Sequence, residues 1–172
     1  MDLLKNSKGK MIVSVQRVKE FFSNNGSEKK VLEFEHTTAT VEQAAEAIGC
    51  EPSRIAKTIS LWQGEHPALI VMSGEGKIDN KKYKAEFSEK AKMIAFDEVE
   101  AAVGYAPGGV CPFAVKEGVK VYADISLQKF DIFYPAAGSS NSAVEMTCKE
   151  LERYAKIERW VDVCKESGNE NQ

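Results

Sequence analysis

The sequence predicts an α+β fold with a mixed, largely antiparallel sheet flanked by helices. Three observations carry that expectation. Short apolar segments of strand type alternate irregularly with capped helical segments, which fits neither a strict βαβ repeat nor an all-β chain. The 172 residues are 43% hydrophobic and 28% charged, ordinary for a globular domain and enough to bury a core without disulfides or metals. Internal repeats and low-complexity linkers are absent from the sequence, so the reading is one domain over 13–165, with a flexible tail at 1–12 and a frayed one at 166–172.

Each element follows from local pattern. Ser14 is placed as the N-cap of a helix whose apolar positions Val15, Val18, Phe21 and Phe22 recur at helical spacing, and Asn24-Asn25-Gly26-Ser27 stops it. Val31 to Phe34 reads as a short strand. Thr40-Val41-Glu42-Gln43 has capping-box form and opens a helix through Ala44, Ala45 and Ile48, ended by Gly49. Ile55 to Trp62 ends in strand-like alternation, Gln63 to Pro67 makes a turn, and Ala68 to Met72 is an apolar run of buried-strand type. Asp79 caps a helix carrying Tyr83 and Phe87. Lys92 to Phe96 is expected as a strand, and Asp97-Glu98-Val99-Glu100 as a further capping box before a helix that Gly104 ends. After an irregular segment, 105–113, strands are expected at Val119–Asp124, Asp131–Tyr134, Ala143–Met146 and Ile157–Val163. Thr147-Cys148-Lys149-Glu150 caps the intervening helix over Leu151 and Tyr154.

Composition narrows function. Lys+Arg 23 against Asp+Glu 26 gives a net charge of −3, which excludes a dedicated duplex-DNA binder but leaves room for local contact with the end of an RNA. No apolar run approaches the roughly 18 residues of a membrane span. The first ten residues lack the apolar stretch of a signal peptide, so the expected location is the cytoplasm, with no membrane partner. Cys50, Cys111, Cys148 and Cys164 form no C-x-x-C pair, and His36 and His66 stand alone. Neither a metal nor a cofactor is expected, and scattered thiols fit a reducing compartment.

Nucleophile elbow, P-loop, dinucleotide fingerprint and zinc-protease motifs are all missing from the sequence. Two places remain as candidates. Lys57 enters an apolar strand from a turn; it is either a partly desolvated cation that faces a carbonyl or phosphate, or a solvated lysine guarding a strand edge. Gly108-Gly109-Val110-Cys111-Pro112 is either a backbone nest for an anion or oxyanion, or an ordinary tight connection. Cys111 within it is a nucleophile or redox thiol only if a base lies near, and none is evident. A weaker signal is the lysine-rich stretch with Lys77, Lys81, Lys82, Lys84, Lys90 and Lys92 against Asp79, Glu86 and Glu89, a solvated face or a contact for a phosphate backbone.

Taken together these segments resemble the YbaK/EbsC family of single-domain aminoacyl-tRNA deacylases, relatives of the editing domain inserted in bacterial prolyl-tRNA synthetases. The resemblance covers roughly Ser14 to Val163. It rests on Thr37 through Gly49 (TTATVEQAAEAIG), Arg54-Ile55-Ala56-Lys57-Thr58, Ser73-Gly74, and Gly104-Tyr105 leading into Gly108–Pro112, which fits the family's G-x-x-x-P loop. Ala136-Ala137-Gly138 is similar to the glycine-bearing turn near the family's pocket.

The resemblance implies a partly rolled mixed sheet and hydrolysis of the ester between a wrong, small amino acid and the 3′-terminal adenosine of a tRNA, taken here as tRNA-Pro. It implies that Lys57 fixes the substrate as the catalytic cation. Thr58, Ser73, Gly108, Gly109, Val110, Cys111, Pro112 and Gly138 would form the substrate pocket; the local charge run, not the resemblance, offers Lys77, Lys81, Lys82 and Lys84 as a tRNA contact. A positioned water attacks, without metal, cofactor or protein nucleophile, and prolyl-tRNA synthetase is a further partner. The alternative is a non-catalytic module that binds tRNA ends or a synthetase.

Overall fold

The computed structural model describes residues 3–166. A five-stranded sheet runs in the order β5-β2-β3-β4-β7, and a separate two-stranded ladder joins β1 to β6. The strands are β1 (Val31–Glu33), β2 (Ile55–Gln63), β3 (His66–Ser73), β4 (Lys120–Asp124), β5 (Tyr134–Pro135), β6 (Ser142–Val144) and β7 (Trp160–Val161). The helices are α1 (Leu3–Asn24), α2 (Val41–Ile48), α3 (Asn80–Phe87), α4 (Val99–Val103) and α5 (Cys148–Ala155). The sheet is mixed. The β2–β3 hairpin and the β1–β6 pair are antiparallel, while β5, β4 and β7 join in parallel over short lengths.

Alternation along β3 divides the interior in two. Leu69 and Val71 face a large cluster with Val18 and Phe22 of α1, Tyr105, Phe113 and Leu151 of α5. Ala68, Ile70 and Met72 face a smaller one built on Tyr83 of α3, Leu61 and Tyr122. A strand buried on both faces reads as a continuous apolar run, which is why Ala68–Met72 shows no polar alternation.

The expected caps form at α2 and α5. Thr40 and Thr147 each accept from the backbone of the third residue of their helix, and Gln43 and Glu150 reach back. Asp79 caps α3, its side chain accepting from Lys81 and Lys82. Gly49 and Gly104 end α2 and α4 in the left-handed region.

Other expectations change, among them the strand expected over 157–163, which is confined to Trp160–Val161. The helix expected from Ser14 begins at Leu3, so the tail expected over 1–12 is helical backbone from its third residue and Ser14 lies mid-helix rather than at a cap. That run holds one glycine and no proline, so nothing in it stops a helix. The tail expected at the other end lies outside the described residues from 167 onward. The turn after β2 is tighter than expected: Gln63 pairs with His66 across Gly64-Glu65, and Pro67 joins β3 just before β4 begins to pair at Ala68. The strand expected over 92–96 is replaced by one bridge, Leu61 to Met93, and a turn of 3-10 helix over 96–98. That turn runs directly into α4, which leaves Asp97 inside a helical stretch, and the capping box expected there does not form. The strand expected over 131–134 shifts to Tyr134–Pro135, with Phe133 bridged to Met146 instead.

Candidate functional site

The site begins as a gap in a sheet edge. On the side of β2 away from β3, β5 pairs only at Ile55 and Ala56. Further along, Ile94 donates its N–H to Ser60 (3.1 Å) and Trp62 donates to Lys92 (2.8 Å). Because peptide groups alternate sides along a strand, the Thr58 N–H and C=O point the same way as those of Ser60 and Trp62, into the unpaired interval. Among the described residues no strand covers that interval. A cavity of about 290 Å³ occupies it, walled by Thr38 and Val41 at the start of α2, by Pro107, Gly108 and Val110 of the irregular loop, and by Tyr134 and Met93 on either side.

Lys57 and Thr58 both line this cavity. Alternation sends Lys57 to the face of Ile59, Leu61 and its cross-strand partner Met72, while Thr58 shares the opposite face with Ala56. The lysine and the glycine loop therefore approach the gap from opposite sides of β2. Lys57 is half-buried, and burial pulls its ammonium below the ordinary range; Lys77 adds to the depression and Glu42 opposes it. Cys164 lies within electrostatic reach, but burial pushes its thiol up to about 12, so it carries no charge there at neutral pH. Among the described residues Lys57 forms no ion pair, which leaves its charge available to a ligand.

The glycine loop is held from behind. Gly108 adopts φ +89° on the exposed rim, a left-handed conformation that glycine takes without strain. Gly109 is buried, and a Cβ on it would stand 2.8 Å from the Gly138 carbonyl oxygen and the Ser139 Cα. The close approach that a double glycine suggests is thus, at Gly109, an approach to the turn at 138–139. Gly109→Ala is expected to force the loop off that turn, cost about 1–3 kcal/mol as overpacking does, and raise KM for any ligand of the cavity; thermal denaturation beside steady-state kinetics reads both effects. Arg17 of α1 reinforces the region by donating to the Gly104 carbonyl (2.8 Å) and lying 4.3 Å from the Tyr105 ring centroid. The Tyr105 hydroxyl donates to the Phe113 carbonyl, closing the loop on itself, and burial raises its pKa.

The remaining candidates fall elsewhere. Cys111 is fully buried, its Sγ donates to the Phe113 carbonyl (3.7 Å), and burial pushes the thiol up to about 11. Burial keeps the thiol protonated and away from solvent at neutral pH, which argues against a nucleophilic or redox role there. Cys111→Ala is expected to leave any hydrolytic rate unchanged, which an ester-hydrolysis assay checks. Pro112 is buried beside it, and Gly138 packs against the Ser14 carbonyl of α1. Ser73 is a brace away from the cavity: its Oγ donates to the Ser53 carbonyl (2.7 Å), and its N–H donates to Ser126 Oγ (3.1 Å). Lys77, Lys81, Lys82 and Lys84 do not line the cavity, and Lys82 is engaged by Asp162 at 3.1 Å. Of the expected pocket residues, the structure brings Lys57, Thr58, Gly108 and Val110 together. Sequence reasoning missed Tyr134, Met93 and Thr38, because their place depends on long-range packing; only the unusual Thr37-Thr38-Ala39-Thr40 run offered a signal. A larger open concavity of about 830 Å³ between the α1–β1 connection and the end of α2 holds none of the expected residues.

This fold and its edge cavity define the α+β class of aminoacyl-tRNA editing domains. Residues 35–154 match the aminoacyl-tRNA editing domain family. The chain is 46% identical over 155 residues to the uncharacterised protein YwhH of Bacillus subtilis, covering 90% of this chain and 99% of that protein. It is 30% identical over 109 residues to EbsC of Enterococcus faecalis, a candidate Cys-tRNA(Pro)/Cys-tRNA(Cys) deacylase, covering 62% of this chain and 66% of that one. It is 28% identical over 129 residues to the proline–tRNA ligase of Limosilactobacillus fermentum, covering 72% of this chain but 22% of that enzyme. A solved structure of a candidate trans-editing enzyme for prolyl-tRNA synthetase superposes with TM-score 0.81 at 25% identity, covering 89% of this chain and 98% of that one. The chain belongs to the aminoacyl-tRNA editing domain family, in its YbaK/EbsC group.

Proposed function

We propose that this protein is a trans-editing deacylase that hydrolyses the ester of a small amino acid mischarged on tRNA-Pro. The observation that carries the reading is the convergence of the half-buried Lys57 cation with Gly108 and Val110 of the irregular loop on one cavity at an open strand edge. At about 290 Å³ the cavity lies at the small end of ligand pockets, which suits an aminoacyl group rather than a larger substrate. Its lining contains no cysteine, histidine or carboxylate. An aminoacyl ester is already activated, so a water positioned against its carbonyl, with charge stabilised by Lys57, is sufficient chemistry. Of the loop, Gly108 and Val110 line the cavity, while the Gly109 N–H donates to the Ala106 carbonyl (3.0 Å). The need is physical as well: one methylene is worth only about 1–3 kcal/mol in a synthetase pocket, so smaller amino acids escape rejection and must be removed afterwards.

Likeness to segments of proline–tRNA ligases and to a candidate Cys-tRNA(Pro) deacylase supports tRNA-Pro as the acceptor and prolyl-tRNA synthetase as a partner. The test is deacylation of alanyl-, cysteinyl-, seryl- and threonyl-tRNA by the wild-type protein. Hydrolysis of one or two establishes the activity and names the amino acid. No hydrolysis of any, by protein shown folded by circular dichroism, overturns the reading and leaves a binding module.

A further inference from the structure

The segment expected as a strand over 92–96 instead places two large apolar side chains in water. Phe96 is 79% exposed and Met93 56%, more than any other large hydrophobic residue among those described. Neither is on a loose loop. Ile94 and Val99 are buried on either side, the backbone bonds of Lys92 and Ile94 hold the segment to β2, and Glu98 N–H donates to the Ala95 carbonyl (2.8 Å) to close the turn. Met93 and Val99 both line the candidate cavity, so the turn bearing Phe96 lies between two of its wall residues.

We infer that Phe96, with Met93, is the platform on which the terminal adenine base of an aminoacyl-tRNA stacks while its ester occupies the cavity. The inference rests on the deacylase reading and adds the part of the substrate that the cavity does not hold. An unpaired base at the end of a single strand presents a π-face, and aromatic side chains that bind such bases do so by stacking. The charges flanking the platform fit the end of a strand. Asp97 and Glu98 are exposed immediately after Phe96 and disfavour a phosphate there, whereas Lys90 and Lys92 are exposed just before Met93, where a 5′ phosphate is tolerated. A terminal nucleoside has a phosphate on one side only.

The experiment compares wild type, Phe96→Ala, Phe96→Leu and Phe96→Trp on two substrates carrying the same amino acid: its 3′-ester with adenosine and its ethyl ester, which has no base. Phe96→Ala is expected to raise KM for the adenosine ester about 5- to 150-fold, the range of one stacked base, with kcat within about twofold. Phe96→Trp is expected to restore KM, Phe96→Leu is not, and ethyl-ester hydrolysis is expected to be the same in all four. An unchanged KM in Phe96→Ala overturns the inference while leaving the deacylase reading intact. So does an equal loss on both esters, or a loss seen only when prolyl-tRNA synthetase is added, which would make the patch a protein-docking surface. If the wild type hydrolyses neither ester, the deacylase reading is decided by the four mischarged tRNAs alone. Binding of the non-hydrolysable 3′-amide of aminoacyl-adenosine then decides: weaker binding by Phe96→Ala supports stacking, and equal binding overturns it.

Discussion

Lys57→Ala is expected to lower deacylation by about 10²–10³-fold in kcat, the usual consequence of removing one preorganised charge-stabilising group. The argument is geometric. Lys57 lines the cavity, forms no ion pair among the described residues, and faces the gap from the side opposite the glycine loop. A cation held there meets the charge that develops on the ester carbonyl. The fold is expected to survive, because burial already depresses the lysine's pKa. The sign of that depression is informative: a folded-state value below the unfolded one means the protonated lysine costs stability at neutral pH. That cost fades as pH rises through the depressed value toward the ordinary 10.5, so the substitution relieves it. Lys57→Met, which keeps the aliphatic stem, is expected to melt at or above the wild-type temperature while remaining inactive. The same depression predicts that enzymatic hydrolysis, corrected for spontaneous alkaline hydrolysis, falls with rising pH sooner than an exposed lysine would allow. A Lys57→Ala variant with wild-type kcat would remove the lysine from the chemistry.

Phe113→Ala is expected to cost about 3–5 kcal/mol, the largest stability loss of any change considered. Phe113 is fully buried, with its ring centroid 5.0 Å from that of Phe22 on α1, and Phe22 in turn meets Tyr154 of α5 at 5.3 Å. Its carbonyl also accepts from the Tyr105 hydroxyl, so one residue anchors both the core and the end of the glycine loop. Typical domains have only about 5–15 kcal/mol in total. The variant should therefore show a much lower urea midpoint with an unchanged m-value, and a melting temperature lower by roughly 2–4 °C for each kcal/mol lost. Where it remains folded, KM is expected to rise, because the Gly108–Val110 backbone loses its support. A midpoint within error of wild type would show that the loop is braced elsewhere.

Local signals transferred well to the structure where the governing physics is local. The Thr40 and Thr147 boxes, the Asp79 cap and the Gly49 and Gly104 terminations involve residues within four positions of one another. The stretch 92–96 failed for the opposite reason. Its composition suits a strand, but β2 offers it only two backbone bonds, and a strand exists only where a partner edge is available. Cys111 shows the same limit within the candidate site. Its place between glycines and a proline left open a nucleophile or redox thiol, and only packing against Tyr105 and Phe113 shows that it is buried.

By itself the sequence determined the mixed α+β class, most helix boundaries, the family likeness and two segments, 57–58 and 108–112, that contribute Lys57, Thr58, Gly108 and Val110 to the cavity wall. Only the tertiary structure decided which residues of those segments face the cavity, that Gly109 yields to a protein turn rather than a ligand, and that Met93 and Tyr134 complete the walls. The physical reason is that caps and turns are written in contacts a few residues apart. A gap in a sheet edge, by contrast, exists only once strands far apart in the chain have paired everywhere else.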